Sequence, residues 1–479
     1  MSEHDVVVVG GGHSGVLAAG ILAMHGLDVV LVERNYSLGG LAGQKYVGGL
    51  PSSRYAYVIG LVPQELMREF PEAFPRTEYA DPSWVALAPD ESIEFRWWSK
   101  KDKLRVELSE RGIEPSILDL IAEFWKCYKS KGLYFTPSAP SLNYSIEVLE
   151  SDKACKDVVD VLEHKSAEIL SWFVPREYWD YFIYPSMLYS NGFVLAYYLQ
   201  NNNIWYRPVY SMASFSKSLR GFAEQYGVKL VLGESVTGFS ISGGRVNGVK
   251  LSSGKTIYSR VVLFSAPITS LLDIEGYELL PENEIRALEK LRESITLRSN
   301  VKRVDVVVAR QPSPPAEKSW QGRPIYVYWR GDIGGEYVYG DCVGGKCLVQ
   351  FSGIVDNPAK LVLPGASDDD IILLDERDRR TQIRCCKNYT GHPDHVPMVD
   401  EYLFDNRPLP GWGEYRTPIP CLYHGSVSSY PGGEINGVAG LNAATRILVD
   451  LGVRPRISLV AHIDKKYNEA NYWDSKHCT

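Results

Sequence analysis

Residues 5–15 read Asp5-Val6-Val7-Val8-Val9-Gly10-Gly11-Gly12-His13-Ser14-Gly15, and this stretch decides the fold of the chain. Its first half is a continuous β-branched run, which is typical of a buried parallel strand. Glycines follow at once, and residues 16–25 then carry apolar side chains at helical spacing until Gly26 ends the pattern. The stretch therefore predicts a strand, a tight turn and a helix.

A second apolar run, residues 28–32, ends at Glu33, which lies 18 residues after Gly15. This spacing is typical of a dinucleotide-binding unit. Gly10 permits the sharp turn, Gly12 lets backbone N–H groups approach a pyrophosphate, and Gly15 permits close packing of the helix on the strand. The carboxylate of Glu33 suits the two ribose hydroxyls and disfavours a 2′-phosphate. These residues predict that the chain binds a dinucleotide.

Two further glycine turns favour FAD over NAD. Leu38-Gly39-Gly40-Leu41 lets the chain pass close to the far side of an extended dinucleotide. Near the C-terminus a predicted strand runs into Gly425-Ser426, and Asn436-Gly437-Val438 opens a predicted helix. The positive end of that helix suits a flavin ring, whose N1–C2=O2 edge becomes negative on reduction. The sequence contains no second GxGxxG after a strand, so a tightly bound NAD(P)H site is not supported.

The remaining residues divide into a helical part and a β-rich part. Apolar periodicity predicts helices at 64–70, 114–129, 156–172 and 219–226. Alternating and β-branched stretches predict strands at 228–232, 236–240, 246–251 and 261–264, and an antiparallel sheet over 301–355. The charged run 375–380, opened by three aspartates at 368–370, predicts a solvated helix.

The expected architecture is an α/β fold with a discontinuous, Rossmann-type FAD-binding domain and an inserted α+β substrate domain. The FAD-binding domain is expected to comprise residues 1–75, 205–295 and 412–479. The substrate domain is expected to comprise residues 76–204 and 296–411.

Composition excludes several classes of protein. The 479 residues are 45% hydrophobic and 23% charged, which is the balance of a globular protein and not of a disordered chain. The net charge of −7 disfavours nucleic acid as a partner. The eight cysteines form no CxxC pair or zinc spacing, so a reducing compartment is expected. With no signal peptide or apolar span in view, we expect a cytoplasmic protein.

Some residues leave two interpretations open. The 30 tyrosines and 11 tryptophans suit either a large apolar ligand pocket or an aromatic core. His392 and His395 suit either a metal or a plain loop, and because no third ligand is near them in sequence we expect no metal. The neighbouring cysteines Cys385 and Cys386 are interpreted as a helix position and not as a redox pair.

The motifs together resemble the phytoene desaturase and carotenoid isomerase group of FAD oxidoreductases, in particular its phytoene-dehydrogenase-related branch. The resemblance rests on the glycine turns with Glu33-Arg34, on residues 53–57, on Val236 and on residues 425–444. It implies that Val236 touches the adenine and that Glu33 holds the ribose. Residues 430–434 depart from the family, because Tyr-Pro-Gly-Gly-Glu stands where His-Pro-Gly-Gly-Gly is common. Residues 80–200 match no carotenoid enzyme, so the resemblance does not extend to carotenoid as the substrate.

The expected cofactor-binding residues come from both ends of the chain. They are Gly10, Gly12, His13, Ser14, Gly15, Glu33, Arg34, Gly39, Gly40, Leu41, Val236, Gly425, Ser426, Asn436, Gly437 and Val438. Arg54 is the catalytic candidate: it either faces the flavin or is an ordinary ion-paired arginine.

The expected reaction is hydride removal from a C–H bond of a hydrophobic substrate, polyisoprenoid in one version, to flavin N5. Oxygen or a quinone then accepts the electrons, and peripheral membrane contact is compatible with such a substrate. Two alternatives remain open: an amine or protoporphyrinogen-type oxidase, and a non-redox flavoprotein that isomerises its substrate or uses FAD as a structural element. The sequence does not indicate an oligomeric state.

Overall fold

The computed structural model describes residues 4–209, 211–298, 302–330, 333–354, 363–377 and 395–460. Its strands, in chain order, are β1 (His4–Val9), β2 (Val29–Glu33), β3 (Gln44–Val47), β4 (Leu50–Ser53), β5 (Thr77–Glu78), β6 (Trp84–Leu87), β7 (Ile93–Trp97), β8 (Arg207–Pro208), β9 (Lys229–Leu232), β10 (Val236–Ser242), β11 (Arg245–Leu251), β12 (Thr256–Phe264), β13 (Lys302–Val308), β14 (Ile325–Arg330), β15 (Ile333–Val343), β16 (Lys346–Ile354), β17 (Ile371–Arg377) and β18 (Leu422–His424).

The α-helices alternate with these strands in the N-terminal part and cluster between β7 and β8. In chain order they are α1 (His13–Met24), α2 (Gln64–Glu69), α3 (Lys101–Glu110), α4 (Ile117–Ser130), α5 (Leu142–Glu150), α6 (Asp160–Glu163), α7 (Ser166–Phe173), α8 (Gly192–Leu199), α9 (Met212–Gln225), α10 (Glu282–Arg298) and α11 (Val438–Asp450). None of the described helices is both long and apolar enough to cross a bilayer.

The first sheet contains the predicted dinucleotide-binding unit, β1, α1 and β2. Strands β18, β12, β1, β2 and β9 are parallel neighbours in that order, and β10 and β11 extend β12 as an antiparallel meander. Helices α1 and α11 cover one face and share a core with it, while α10 covers the other. The α/β, Rossmann-type fold is thus confirmed. The sheet draws on three separate parts of the chain, and the expected domain boundaries stay a prediction.

The second sheet has the order β17-β13-β16-β15-β14-β6-β7. Its pairs are antiparallel except β14 with β6, so the predicted sheet over 301–355 is present and is longer than expected. One face carries Trp84, Ile325 and Val338, which lie in the same core as α1 and α11. We call this the inner face. The opposite face has a core of its own.

The charged run at 375–380 is not a helix in the described residues, so that prediction is wrong. Asp368–Asp370 forms a 3₁₀ turn capped by Ser367, and Ile371–Arg377 is the edge strand β17. The preceding apolar residues 371–374 decide this, because they pair with the buried β13. Asp375, the first residue of the charged run, forms an ion pair with Lys45. Residues 378–380 lie outside the described residues.

The helix predicted at 156–172 is divided in the structure. A 3₁₀ turn at Lys156–Val158 leads into α6, and α7 begins only at Ser166. The break comes at His164, whose backbone is extended and whose carbonyl accepts a hydrogen bond from Gly192 N–H at 2.8 Å. A tertiary hydrogen bond therefore overrides the helical periodicity.

Of the five cysteines in the described part of the chain, four are paired as disulfides. Cys127–Cys155 joins α4 to the following 3₁₀ turn, and Cys342–Cys347 closes the β15–β16 hairpin. Cys421 is a buried thiol. This pairing differs from the free thiols that a reducing compartment would favour, and the sequence did not signal it because the separations of 28 and 5 residues match no motif. Cys385, Cys386 and His392 lie outside the described residues.

Candidate functional site

Two positions of the glycine loop between β1 and α1, Gly15 and Gly12, differ in the space around them. A Cβ on Gly15 would overlap the Gly10 carbonyl oxygen and would lie 2.9 Å from Ser265 Oγ, so α1 packs closely on the ends of β1 and β12. A Cβ on Gly12 would meet no atom within 4 Å. The loop therefore has open space beside the helix N-terminus.

The first turn of α1 has no capping or acidic side chain of its own to compensate the partial positive charge at the helix start. Its N-cap is Gly12, no side chain caps it, and it has no acidic residue. Its backbone N–H groups and the positive end of the helix dipole therefore suit an anion. Two buried polar atoms support the same conclusion, because among the described residues neither His13 Nε2 nor Ser14 Oγ has a hydrogen-bond partner. Burial lowers the pKa of His13 to about 4, so the ring is neutral at physiological pH.

Glu33 is held in place at the end of β2. Its Oε2 accepts a hydrogen bond from Gly11 N–H at 2.8 Å, and its Oε1 accepts from the backbone and side chain of Asn35 at 2.8 and 2.6 Å. Oε2 keeps an acceptor position for a ribose hydroxyl. Glu234 N–H donates to the Glu33 carbonyl at 3.3 Å, which brings the start of β10, with Val236, beside the same strand end. Arg34 follows, partly exposed.

The second glycine turn lies directly against the first. Gly39 N–H donates to the Gly11 carbonyl at 2.7 Å, and the Leu41 carbonyl accepts from Tyr55 N–H at 2.8 Å. Arg54 braces this turn, since its guanidinium donates to the Gly40 carbonyl at 3.1 Å and to Ser37 Oγ at 2.8 Å. Through these contacts Arg54 stabilises the second glycine turn. A direct catalytic role for Arg54 stays a prediction.

The C-terminal motif lies at the start of α11, and α11 packs on α1 beside the glycine turns. Asn436 is fully buried; its Oδ1 accepts from Val438 N–H at 2.8 Å, and its Nδ2 donates to the carbonyls of Gly432 and Gly433 at 2.8 and 3.0 Å. The side chain thus fixes the turn before the helix, whose N-cap, Gly437, has φ +73°. Helix α11 packs on α1, so the N-terminal and C-terminal motifs meet.

Gly425 and Ser426 belong to the connection between β18 and α11. The Gly425 N–H donates to the Phe264 carbonyl at 3.1 Å, and its own carbonyl accepts from Ser265 Oγ at 2.8 Å. Ser426 Oγ accepts from Ser428 N–H at 3.1 Å. Both residues therefore lie at the carboxyl ends of the parallel strands, where ligands of open α/β sheets bind. Their contacts with the cofactor stay predictions.

The inner face of the second sheet carries a polar row that no sequence motif predicts. Ser352 on β16 stands opposite both Arg303 on β13 and Glu336 on β15, and residues directly opposite each other share a face. The Tyr55 side chain hydrogen-bonds with Ser352, so the row faces the segment that follows the second glycine turn. Arg303 Nε lies 3.2 Å from Asp305 Oδ1. The register of β13, β16 and β15 brings these residues side by side, so no local sequence motif marks the row.

A series of tyrosines connects this row to α11. Tyr184 Oη donates to Glu336 Oε1 at 3.3 Å, its ring centroid lies 5.6 Å from that of Tyr198, and Tyr198 lies 5.7 Å from Tyr197. Tyr197 Oη donates to the Gly433 carbonyl at 2.8 Å. We call Tyr184, Tyr198 and Tyr197 the tyrosine ladder. It runs from the surface, where Tyr184 is 41% exposed, to the turn before α11.

Solvent reaches the start of α11 at one point. From residue 421 to 450 every residue is buried except Glu434, which is partly exposed and has φ +58°. Tyr57 and Glu336 on the opposite side are also partly exposed, although they lie between the two sheets.

The comparisons with known proteins agree with this geometry. Residues 5–97 match the family model described as FAD dependent oxidoreductase. The matched segment contains β1 from Asp5 onward, α1, β2 and both glycine turns. It is 21% identical to the mouse pyridine nucleotide-disulfide oxidoreductase domain-containing protein 2, over 94% of each chain.

Solved structures share the fold. An oxidoreductase from Methanosarcina mazei superposes with a TM-score of 0.55 at 13% identity, covering 93% of this chain and 99% of that one. Cyclohexylamine oxidase from Brevibacterium oxydans gives a TM-score of 0.53 at 16% identity, covering 94% and 100%. The family match and the shared fold support an oxidoreductase enzyme with FAD as its cofactor.

The residues fit that cofactor. The space beside Gly12, the unpartnered His13 Nε2 and Ser14 Oγ, and the uncapped first turn of α1 suit a pyrophosphate. Glu33 presents a fixed carboxylate where the ribose belongs. No group of three or more metal-ligating side chains occurs within the described ranges.

Proposed function

We propose that the protein oxidises a C–H bond of a small organic substrate with a largely apolar body, in the manner of the phytoene-dehydrogenase-related oxidoreductases. A bound FAD would supply the hydride acceptor at N5, with oxygen or a quinone as the final acceptor of the electrons. The observation that carries the proposal is the meeting of the two glycine turns with the start of α11, where Tyr55 bonds to the second glycine turn and Tyr197 to the turn before α11.

The protein's own residues would hold and orient the cofactor and would shield the reacting C–H bond from water. The N–H groups of the α1 first turn and the Glu33 carboxylate hold the cofactor at its nucleotide end. The start of α11, kept rigid by Asn436, stabilises negative charge that develops at the redox end. Buried rings such as Tyr55 and Tyr197 limit the access of water to the reacting C–H bond.

The proposed partners follow from this site. The substrate is a hydrophobic small molecule, and brief contact of the protein with a membrane surface would supply it. The electron acceptor is oxygen or a quinone. The net charge of −7 makes nucleic acid an unsuitable partner. We propose a cytoplasmic location, from which a membrane surface is within reach.

The test begins with the purified protein, which we expect to be yellow with about one FAD per chain. Lipids and amphiphiles that copurify are identified by mass spectrometry and then added back to the oxidised protein without oxygen. Loss of the visible flavin absorbance, with recovery when air is admitted, supports the proposal. A flavoprotein that converts its substrate only after prior reduction, with no net electron transfer, is instead an isomerase and contradicts it.

A further inference from the structure

The two disulfides of the described chain differ in their surroundings. Cys127 and Cys155 are both buried, with relative exposures of 3% and 4%, and both belong to the largest apolar core. In the second disulfide Cys347 is buried as well, with a relative exposure of 2%, but Cys342 is exposed. Among the cysteines of the described disulfides, Cys342 is therefore the one that a reagent in water can reach.

The tip of the β15–β16 hairpin, which carries Cys342, is open. Every residue from 342 to 346 is exposed. Gly344 and Gly345 form the turn with φ values of +60° and +77°, as a tight two-residue hairpin turn requires. A Cβ on either glycine would meet no atom within 4 Å. The turn beside Cys342 is therefore uncovered.

The strand pairing keeps Cys342 and Cys347 side by side. The register of β15 and β16 puts the two residues directly opposite each other, and it continues to Val343 and Lys346 nearer the turn. On its other side β16 pairs with β13, where Cys347 stands opposite Val308. Backbone hydrogen bonds maintain such a register whether or not the two sulfurs are bonded. The reduced thiols would therefore remain neighbours, and the disulfide could form again without refolding.

We propose that Cys342–Cys347 is a thiol–disulfide exchange site for a low-molecular-weight thiol, which attacks at Cys342. The thiolate of the reagent bonds to Cys342 Sγ, the bond to Cys347 breaks, and Cys347 leaves as a thiolate and takes up a proton. A second thiolate then attacks the sulfur of the bound reagent, so that Cys342 leaves in turn and is protonated. Two small thiols thus become one small disulfide, and their two electrons reduce the cysteine pair. The small disulfide reverses both steps.

The difference in burial decides which disulfide exchanges. An attacking thiolate has to reach a sulfur, so exposed disulfides are labile and often regulatory, whereas buried ones persist. Within a reducing compartment, such as the cytoplasm proposed above, disulfides are usually of the labile kind. Cys342–Cys347 would then follow the ratio of small thiols to small disulfides, while Cys127–Cys155 keeps a structural role. The inference goes beyond the proposed oxidation, since neither Cys342 nor Cys347 belongs to the cofactor-binding residues.

Differential alkylation of the full-length, FAD-loaded protein tests the proposal, with glutathione as the probe. The protein is first oxidised with glutathione disulfide and then exposed to reduced glutathione. Thiols are blocked at intervals, and peptide mass spectrometry follows each cysteine separately. We expect Cys342–Cys347 to be reduced about tenfold or more faster than Cys127–Cys155, and to form again when glutathione disulfide is returned. Equal rates for the two disulfides, or a pair that stays as thiols in glutathione disulfide, would overturn the inference.

A matched pair of variants identifies the attacked sulfur. Cys347→Ala leaves Cys342 without its partner, so glutathione disulfide should produce a lasting glutathione adduct on Cys342. Cys342→Ala leaves the buried Cys347, which should form its adduct about tenfold or more slowly. Similar rates in the two variants would overturn the assignment. If Cys347→Ala fails to fold, the transient adduct of the wild-type protein decides: glutathione found on Cys347 and not on Cys342 contradicts the proposal. Exchange by a protein whose flavin no substrate reduces would refute the proposed oxidation and leave this inference intact.

Discussion

Replacing Gly12 by alanine separates folding from cofactor binding in the glycine loop. Gly12 has φ −67° and ψ 167°, an extended conformation open to any residue, and an added Cβ meets nothing within 4 Å. The fold of Gly12→Ala should therefore be retained. The same Cβ would occupy the space through which a pyrophosphate approaches the first turn of α1, so FAD binding should suffer.

The two effects differ in size. Alanine is a poorer N-cap than glycine by roughly 0.5 kcal/mol, and it restricts the unfolded chain, which returns about 0.4–1 kcal/mol. The free energy of unfolding of the apoprotein should thus change by no more than about 0.5 kcal/mol. Losing one hydrogen bond from an N–H group to a charged oxygen costs about 1.5–3 kcal/mol. The Kd for FAD should therefore rise roughly 10-fold to 100-fold.

Urea unfolding of the apoprotein and fluorescence titration with FAD measure the two quantities on one sample. Gly15→Ala is the control, because its Cβ overlaps the Gly10 carbonyl oxygen, and it should lower the free energy of unfolding by about 1–3 kcal/mol. Wild-type FAD affinity in Gly12→Ala would show that the cofactor does not approach at this loop. Unfolding of Gly12→Ala would show that the space beside it is not open.

Four further variants test other contacts. Glu33→Ala should raise the Kd for FAD about tenfold, measured by the same titration, and unchanged affinity would remove Glu33 from the site. Glu434→Gln should raise the flavin midpoint potential by about 5–20 mV, because a charge near a helix end is worth about 0.3–1 kcal/mol and about 1.4 kcal/mol corresponds to 30 mV. Spectroelectrochemistry at two salt concentrations measures the potential. A downward shift would contradict the prediction. Tyr197→Phe, which removes the bond to Gly433, should lower the free energy of unfolding by about 1–3 kcal/mol, and a value within error of wild type would show the bond to be dispensable. Burial raises the pKa of Glu336 to about 8, so the folded protein keeps this proton above pH 4.5 and its free energy of unfolding should fall as the pH rises from 4.5 to about 8. Thermal melts of Glu336→Gln over the same pH range should show a smaller fall. Parallel curves for the two proteins would contradict the prediction.

The nucleotide-binding half of the molecule could be predicted because its signals are local. The β-branched run, the glycine turn and Glu33 lie within 29 residues of one another, and each has a steric or electrostatic reason to stand where it does. The C-terminal turn was also visible, since Asn436 and Gly437 mark a helix start within two residues.

The substrate side could not be predicted in the same way. Arg303, Glu336 and Ser352 become neighbours only through strand register, and Tyr184 reaches Glu336 across 152 residues of sequence. The error at β17 has a related cause: a run of alternating charges looks like a solvated helix until the partner strand is known. Of the two interpretations of the tyrosines, the ladder gives some of them a surface role and leaves others, such as Tyr128, in the core.

Because β18 and α11 follow the rest of the first sheet in sequence, that sheet stays incomplete until residues 422–424 have been made. The C-terminal half of β12 has no outer neighbour until residues 422–424 are made, and Asn442 must arrive before it can accept the hydrogen bond from Thr136 N–H. The 158 positions from Phe264 to Leu422 take roughly 8–30 s to translate at about 5–20 residues per second. During this interval β12 is an open edge of the sheet, and we expect a fragment that stops before residue 422 to keep that edge open and to bind FAD poorly. Because FAD would bind only after this late step, limiting riboflavin should lower the yield of folded protein as well as its activity.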